Sequence, residues 1–333
     1  MAITFQVLGT PGRDNAVLTR IDSGQTVEHL LFDCGDGCLN TLPFTEAQNI
    51  DQLFFSHLHM DHVGGFDYFF RATYDRPTKA NRIWGPPQTA AIMQRRFQGY
   101  LWNLYEEMSG SWRVHEIFPN AIHAWRYELN EAYAVAHDEG ERQYEFVIYE
   151  QPEFSIEALT LDHRIPSIGY ILREPLRRNV DPAKMTALGL RPGPWLKQIK
   201  DEQVTAGEVE VAGARRSITE LRSLLMTETP GDSFAYLTDF LLDDAAMEHV
   251  ADRLRGCGVL VCDGQYRHAD IELARKNFHM TTVLSAKLAA KAQVGELVLF
   301  HLSDRYQPPE WREMLAEARQ VFPNTRYPHK WQI

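Results

Sequence analysis

The sequence predicts an α/β body built in layers. Short apolar runs of strand length recur along the chain. Stretches of helical character separate some of them, and there is no internal repeat or low-complexity tract. Residues 3–8 (ITFQVL) alternate like a half-buried strand. Residues 29–32 (HLLF) and 52–55 (QLFF) are short apolar runs and read as buried strands. A helical pattern follows over 87–105. Strand patterns return at 154–161 and 167–172, then at 234–237, 259–262 and 296–300. Helical patterns at 245–254, 281–292 and 309–321 fall between and after these last runs. Thr281 or Thr282 suits an N-cap ahead of the Ala/Leu/Lys-rich helix. The order has no clean βαβ repeat, which favours a layered body over a bundle or an all-β sandwich.

A chain of 333 residues, 44% of them hydrophobic, can bury a sizeable core. Length alone allows one large domain or two small ones; a single domain over 1–333 is expected, with two additions. One is an aromatic-rich insertion at about 76–150, poor in clear strands and including Trp84, Tyr100, Trp102, Tyr105 and Trp112. The other, at about 175–231, is rich in charge, Pro and Gly and reads as a surface arm or lid. The net charge of −11 argues against a general nucleic-acid binder. Around the arm there is nonetheless a local basic excess, from Arg173, Arg177 and Arg178 to Lys197 and Lys200, which suits phosphate contact. No apolar run approaches the ~20 residues of a spanning helix, and no basic leader precedes the first strand, so neither a membrane span nor a signal peptide is expected. Cys34, Cys38, Cys257 and Cys262 are expected as free thiols in a cytoplasmic protein, not as a disulfide framework.

The chemistry concentrates at SHLHMDHVGGF, residues 56–66. An apolar run ends at His57, and FDYFFRATY after the two glycines has helical character, so the cluster sits on a strand-to-helix turn. His57 and His59 are two apart and share one side of an extended segment. Asp61 and His62 follow. One run can therefore offer two nitrogens to one metal ion, and a carboxylate and a third nitrogen to another. Imidazole and carboxylate at this density suit zinc, with manganese, iron or nickel as competitors. Gly64 and Gly65 are expected to permit a tight turn behind the ligands. The run cannot close two shells alone. His163, Asp239 and His301 each stand where an apolar strand meets a loop, and they are the candidates to complete them.

With these residues assembled, the chain resembles the metallo-β-lactamase superfamily and, within it, the ribonuclease Z branch. VLGTPG (7–12) and LLFDCGDG (30–37) look like that branch's first two strand turns. LDHRIPSIGYIL (161–172) resembles its third-histidine motif, and LGLRPGPWLKQIK (188–200), with Gly193 and Pro194, the Gly-Pro motif of its RNA-clamping arm. FHMTT (278–282) and FHLSDRY (300–306) resemble its two late histidine motifs. The resemblance implies an αββα sandwich, two mixed sheets with helices on the outer faces. It implies two divalent metal ions, most simply Zn2+. His57, His59 and His163 would hold one; Asp61, His62 and His301 would hold the other; Asp239 would bridge both. Asp61 and His279 are its catalytic candidates, His279 assisting the leaving oxygen. Asp33 and Asp263 would orient ligand imidazoles, and Ser303, Arg305 and Tyr306 would support the edge of the site.

The activity so implied is phosphodiester hydrolysis by a metal-activated hydroxide, cutting precursor tRNA at its 3′ end, in a homodimer. The alternative is a small-molecule hydrolase on the same scaffold, acting on a cyclic nucleotide, another phosphodiester or an aryl sulfate. The chain departs from the family pattern at Met60, where Gly is usual, at Thr238 and Phe240 around Asp239, over residues 262–266, and at Met280, where Ser is usual. Each departure keeps the metal-type residue and changes its neighbours.

Overall fold

In the computed structural model, residues 2–103, 108–201 and 203–333 are described; Tyr105 and the end of the helical pattern at 87–105 lie outside them. The chain opens with eight strands that form one sheet in chain order: β1 (Ala2–Gly9), β2 (Asn15–Asp22), β3 (Val27–Phe32), β4 (Gln52–Phe54), β5 (Asn81–Gly85), β6 (Ser111–Ile117), β7 (Ala121–Glu128) and β8 (His137–Gln143). Pairing is antiparallel at both ends of this sheet and parallel from β3 to β6. Then come β9 (Val147–Glu150), β10 (Ser155–Asp162) and β11 (Pro166–Arg173) of a second sheet.

Residues Glu174–Gly231 form a compact unit of their own. It contains β12 (Arg177–Val180), β13 (Glu208–Val211), β14 (Ala214–Ser217) and β15 (Met226–Thr229), with β12 pairing β15 and β13 pairing β14. Trp195, Ile199, Val209, Leu221 and Leu225 make its small core. The chain then returns to the second sheet with β16 (Ser233–Leu237), β17 (Val259–Asp263), β18 (Glu296–Phe300) and β19 (Thr325–Arg326), in the order β19-β18-β17-β16-β11-β10-β9.

Strand alternation explains the layering. On β3, Leu30 and Phe32 enter the core between the sheets, while Leu31 turns to the outer face. Phe32 meets Tyr170 at 5.6 Å and Tyr236 at 5.5 Å from the opposite sheet. The outer face of the first sheet packs Leu53, Ile83 and Trp112 against Phe66, Phe70 and Phe97 of the helices Phe66–Thr73 and Thr89–Phe97. The helices Asp244–Leu254, Thr282–Ala292 and Pro308–Val321 cover the other sheet. Thr281 is the N-cap, its hydroxyl accepting from the Leu284 N–H at 3.2 Å. All four cysteines are free and buried. Among the described residues no helix is long and apolar enough to cross a membrane.

The stretch 76–150 is no strand-poor addition. It supplies β5 to β8 of the first sheet and β9 of the second. Trp84 enters the core between the sheets, and Trp112 the outer one. The helix within it ends early, at Phe97, where the chain turns at Gln98 and Gly99.

Candidate metal centre

The site is built on strand ends. His57 follows β4, His163 follows β10, Asp239 follows β16 and His301 follows β18. Asp33, Asp239 and His301 all have left-handed φ, at 56°, 47° and 56°. Such backbone is costly for a non-glycine residue and gathers at functional sites. β3, β16 and β18 each lead into such a turn, and each presents a polar side chain there.

Two groups of side chains result. His57, His59 and His163 form one, and Asp61, His62, Asp239 and His301 the other; within each, one potential ligand atom per residue lies within 4.8 Å of the rest. Asp239 touches both. Its Oδ2 is 3.6 Å from His57 Nε2, 3.8 Å from His163 Nε2 and 3.4 Å from His62 Nε2. Its Oδ1 is 3.0 Å from His301 Nδ1. Asp61 Oδ2 lies 3.4 Å from His62 Nε2 and 3.5 Å from His301 Nε2. His57 Nε2 and His59 Nδ1 are 3.0 Å apart.

A surrounding layer fixes ring orientation. His62 Nδ1 meets the Asp33 carboxylate at 2.7 Å, and His163 Nδ1 donates to the Phe278 carbonyl at 2.8 Å. Both rings thereby keep Nε2 as the free nitrogen. Ser56 donates its backbone N–H and its hydroxyl to Asp33 at 2.7 and 2.6 Å, and Tyr236 donates its hydroxyl at 2.6 Å. Thr238 donates to Asp239 at 2.7 Å. Asp263 accepts from His279 Nδ1 at 3.2 Å and from the Met280 and Gln265 N–H groups. His279 lies 3.8 Å from Asp239 and belongs to a third possible group with Asp239, Asp263 and His301.

The donor set fits cations. Burial by itself would lower the pKa of His62, but Asp33 and Asp239 outweigh it and push it well above the imidazole range. His301 is pushed up in the same way by Asp239, Asp263 and Asp61, again against burial. The carboxylate field that would retain those protons equally favours a divalent ion in their place. Burial would raise Asp239, but His301, His62 and His279 hold it well below the usual carboxylate range. Burial, then the charge of His62, lowers His57 to about 2, which leaves its imidazole neutral. Among the described residues, buried His62 Nε2 has no hydrogen-bond partner, an orphan that a metal ion would satisfy.

The other expected site residues are placed as follows. Tyr306 is buried and donates to Asp270 at 2.7 Å. Ser303 ties its loop to Gln265 and Trp311, and Arg305 is exposed. None of these three hydrogen-bonds to the clustered histidines. Gly193 and Pro194 belong to the separate unit 174–231 and precede the helix Trp195–Lys200; a Cβ on Gly193 would approach Trp195 Cδ1 to 2.9 Å. Arg173 lies outside that unit and pairs with Glu157 at 3.0 Å, so it is a core-edge anchor and no part of the arm.

Gly64 and Gly65 have ordinary negative φ, −60° and −82°. Their role is space, not turning: a Cβ on Gly65 would lie 2.3 Å from the Gly35 carbonyl oxygen. Ser56, Tyr236, Gln265 and the Phe278 carbonyl were not expected in the site. Ser56 opens the histidine run and was legible there; Tyr236 lies in an apolar strand and gave no signal.

Comparison with known proteins places this geometry. The family described as "Anti-Pycsar protein Apyc1" matches residues 13–165. The chain is 49% identical over 329 residues to a ribonuclease Z of Deinococcus radiodurans, covering 99% of this chain and 98% of that one. It is 30% identical to a ribonuclease Z of Synechococcus sp. (strain CC9605), covering 98% and 94%. Among solved structures, the metallo-β-lactamase fold protein YhfI of Bacillus subtilis matches at a TM-score of 0.56 and 14% identity, covering 98% of this chain and 95% of that one. The short form of human tRNase Z matches at 0.53 and 17%, covering 92% and 94%. The structural neighbours establish the metallo-β-lactamase fold and, with the full-length likeness to the curated relatives, show that the chain belongs to the ribonuclease Z family of metal-dependent hydrolases.

Proposed function

We propose that the chain is an endoribonuclease that cleaves precursor tRNA at its 3′ end with two divalent cations, most simply Zn2+, and works as a cytoplasmic homodimer. The observation that carries the two-cation reading is Asp239, whose carboxylate stands within 4 Å of ring nitrogens from both histidine groups. His57, His59 and His163 would hold one cation, and Asp61, His62 and His301 the other, with Asp239 between. When bound, such a pair supplies Lewis-acid polarisation of the phosphoryl group, a water of lowered pKa and neutralisation of developing charge. Asp33 keeps His62 in the ligating tautomer, and Asp263 holds His279 toward the leaving oxygen, where it would donate a proton. In the unit 174–231, Lys184, Arg191, Lys197 and Lys200 are exposed and suit the RNA backbone. The tRNA assignment rests on the likeness to the curated ribonuclease Z relatives and on these exposed basic residues.

One observation keeps a second reading, hydrolysis of a small phosphodiester. Met60, inside the histidine run, is 83% exposed where the family pattern has Gly, so a hydrophobic side chain stands at the rim of the site. Parallel assays with a 3′-extended precursor tRNA and with bis-p-nitrophenyl phosphate separate the two. Specific cleavage of the tRNA is expected. Turnover of the small ester with no tRNA cleavage at any concentration would overturn the first reading.

A further inference from the structure

A cavity of about 620 Å3 lies at the margin where β8 edges the first sheet and β9 edges the second, within the small-molecule size range. Arg82, Trp84, Arg113, His115, Arg142 and Tyr149 line it, together with Glu139 and Glu150. Arg82 and Arg113 are register partners on neighbouring strands, an arrangement of like charges that costs stability unless something compensates it. Compensation from the protein is incomplete. Glu139 accepts from Arg113 at 2.9 Å but also from Arg126 at 3.0 Å, so one carboxylate serves two guanidiniums. Arg82 and Arg142 have no carboxylate within 4.0 Å among the described residues. Arg82 lies over the Tyr149 ring at 5.9 Å, and Arg142 donates to the Ile148 carbonyl. On a chain of net charge −11, a cavity lined by three arginines, of which Glu139 ion-pairs with Arg113 alone, marks a place for an anion.

The cavity also has an aromatic wall. Phe54 stacks on Trp84 at 6.0 Å and 6°, and Trp84 stacks on His115 at 4.0 Å and 18°. Across the sheet from His115 the register runs through Ala124 to Gly140, two positions with almost no side chain, so no bulk in that row covers the far side of the imidazole. A further planar ring would continue the stack. The site is distinct from the metal centre: Arg82 is in register with Gln52 at the start of β4, and His57 lies beyond that strand's other end, about 16 Å along an extended chain.

We propose that this cavity binds a nucleoside monophosphate, its phosphate on the guanidiniums of Arg82 and Arg142 and its base on the stack ending at His115. Calorimetric titration of the whole chain with AMP tests it, using wild type and the Asp239→Ala variant, in which binding must persist if the metal centre is not the site. Saturable binding is expected in both. Adenosine and inorganic phosphate should each bind at least tenfold more weakly, and the double variant R82Q/R142Q should lose at least tenfold in AMP affinity. A change in tryptophan fluorescence on adding AMP should be lost in Trp84→Phe, a second variant that keeps the stack. No saturable binding to Asp239→Ala, equal affinity for AMP and phosphate, full AMP affinity in R82Q/R142Q, or an unchanged fluorescence response in Trp84→Phe would each overturn the proposal.

Discussion

The Asp33 carboxylate holds His62 Nδ1 at 2.7 Å, and the opposite nitrogen of the same ring is buried with no hydrogen-bond partner among the described residues. The ring is thus oriented from behind and left open in front. Asp33 also accepts from Ser56 and Tyr236, so its own position is fixed from two sheets. Asp33→Asn should lower metal affinity by about 10- to 100-fold with little loss of fold. Competition with a chelator of known affinity measures this, and an unchanged affinity would remove Asp33 from the ligand support.

His279 is held by Asp263 at 3.2 Å and stands beside Asp239. As a proton donor it should be dispensable for metal binding. His279→Ala is expected to lower kcat by about 10²- to 10⁴-fold while metal content stays at the wild-type level. Loss of metal in proportion to activity would instead make His279 a ligand.

Gly65 is needed for close approach. Gly65→Ala drives a methyl against the Gly35 carbonyl, backbone against backbone, in the turn that carries Asp61 and His62. Destabilisation of at least about 2 kcal/mol is expected, read from the urea midpoint. Wild-type stability would mean that the two turns part freely.

His115 is an acid-sensitive point away from the metal centre. Burial, then the charges of Arg82, Arg142 and Arg113, lowers its pKa to about 3. The unfolded chain takes up a proton near pH 6.5, while the folded chain does not until about pH 3. The unfolded state therefore binds more protons in that window, and stability falls as pH falls through it. From pH 7 to pH 5 this one group should cost about 2 kcal/mol. His115→Phe should flatten that part of the pH profile in chemical denaturation; an unaltered profile would exclude His115 as the cause.

His57, His163, Asp239 and His301 were legible because each follows an apolar run, and a strand end is where a sheet delivers a side chain to a common edge; His59, Asp61 and His62 were legible from their spacing behind His57. The strands of 76–150 were not. The β8 sequence HDEGERQ is largely exposed and carries no alternation of apolar and polar positions. It is a strand because β7 pairs with it, a tertiary cause that composition does not record. Similarly, His115 gave no signal among charged neighbours. It stacks on Trp84, which lies on another strand. Gly64 and Gly65 stand out in the sequence but their role does not, since the crowding of Gly65 by Gly35 exists only once the two loops are placed together.

On the function proposed above, one carboxylate, Asp239, organises two cations. Metal analysis by mass spectrometry on wild type and Asp239→Ala, with hydrolysis of bis-p-nitrophenyl phosphate followed on the same samples, tests it directly. About two metal equivalents per chain are expected in wild type, with substantially less metal and no hydrolysis in the variant. Two equivalents and normal turnover in Asp239→Ala would rule out a bridging role for this carboxylate.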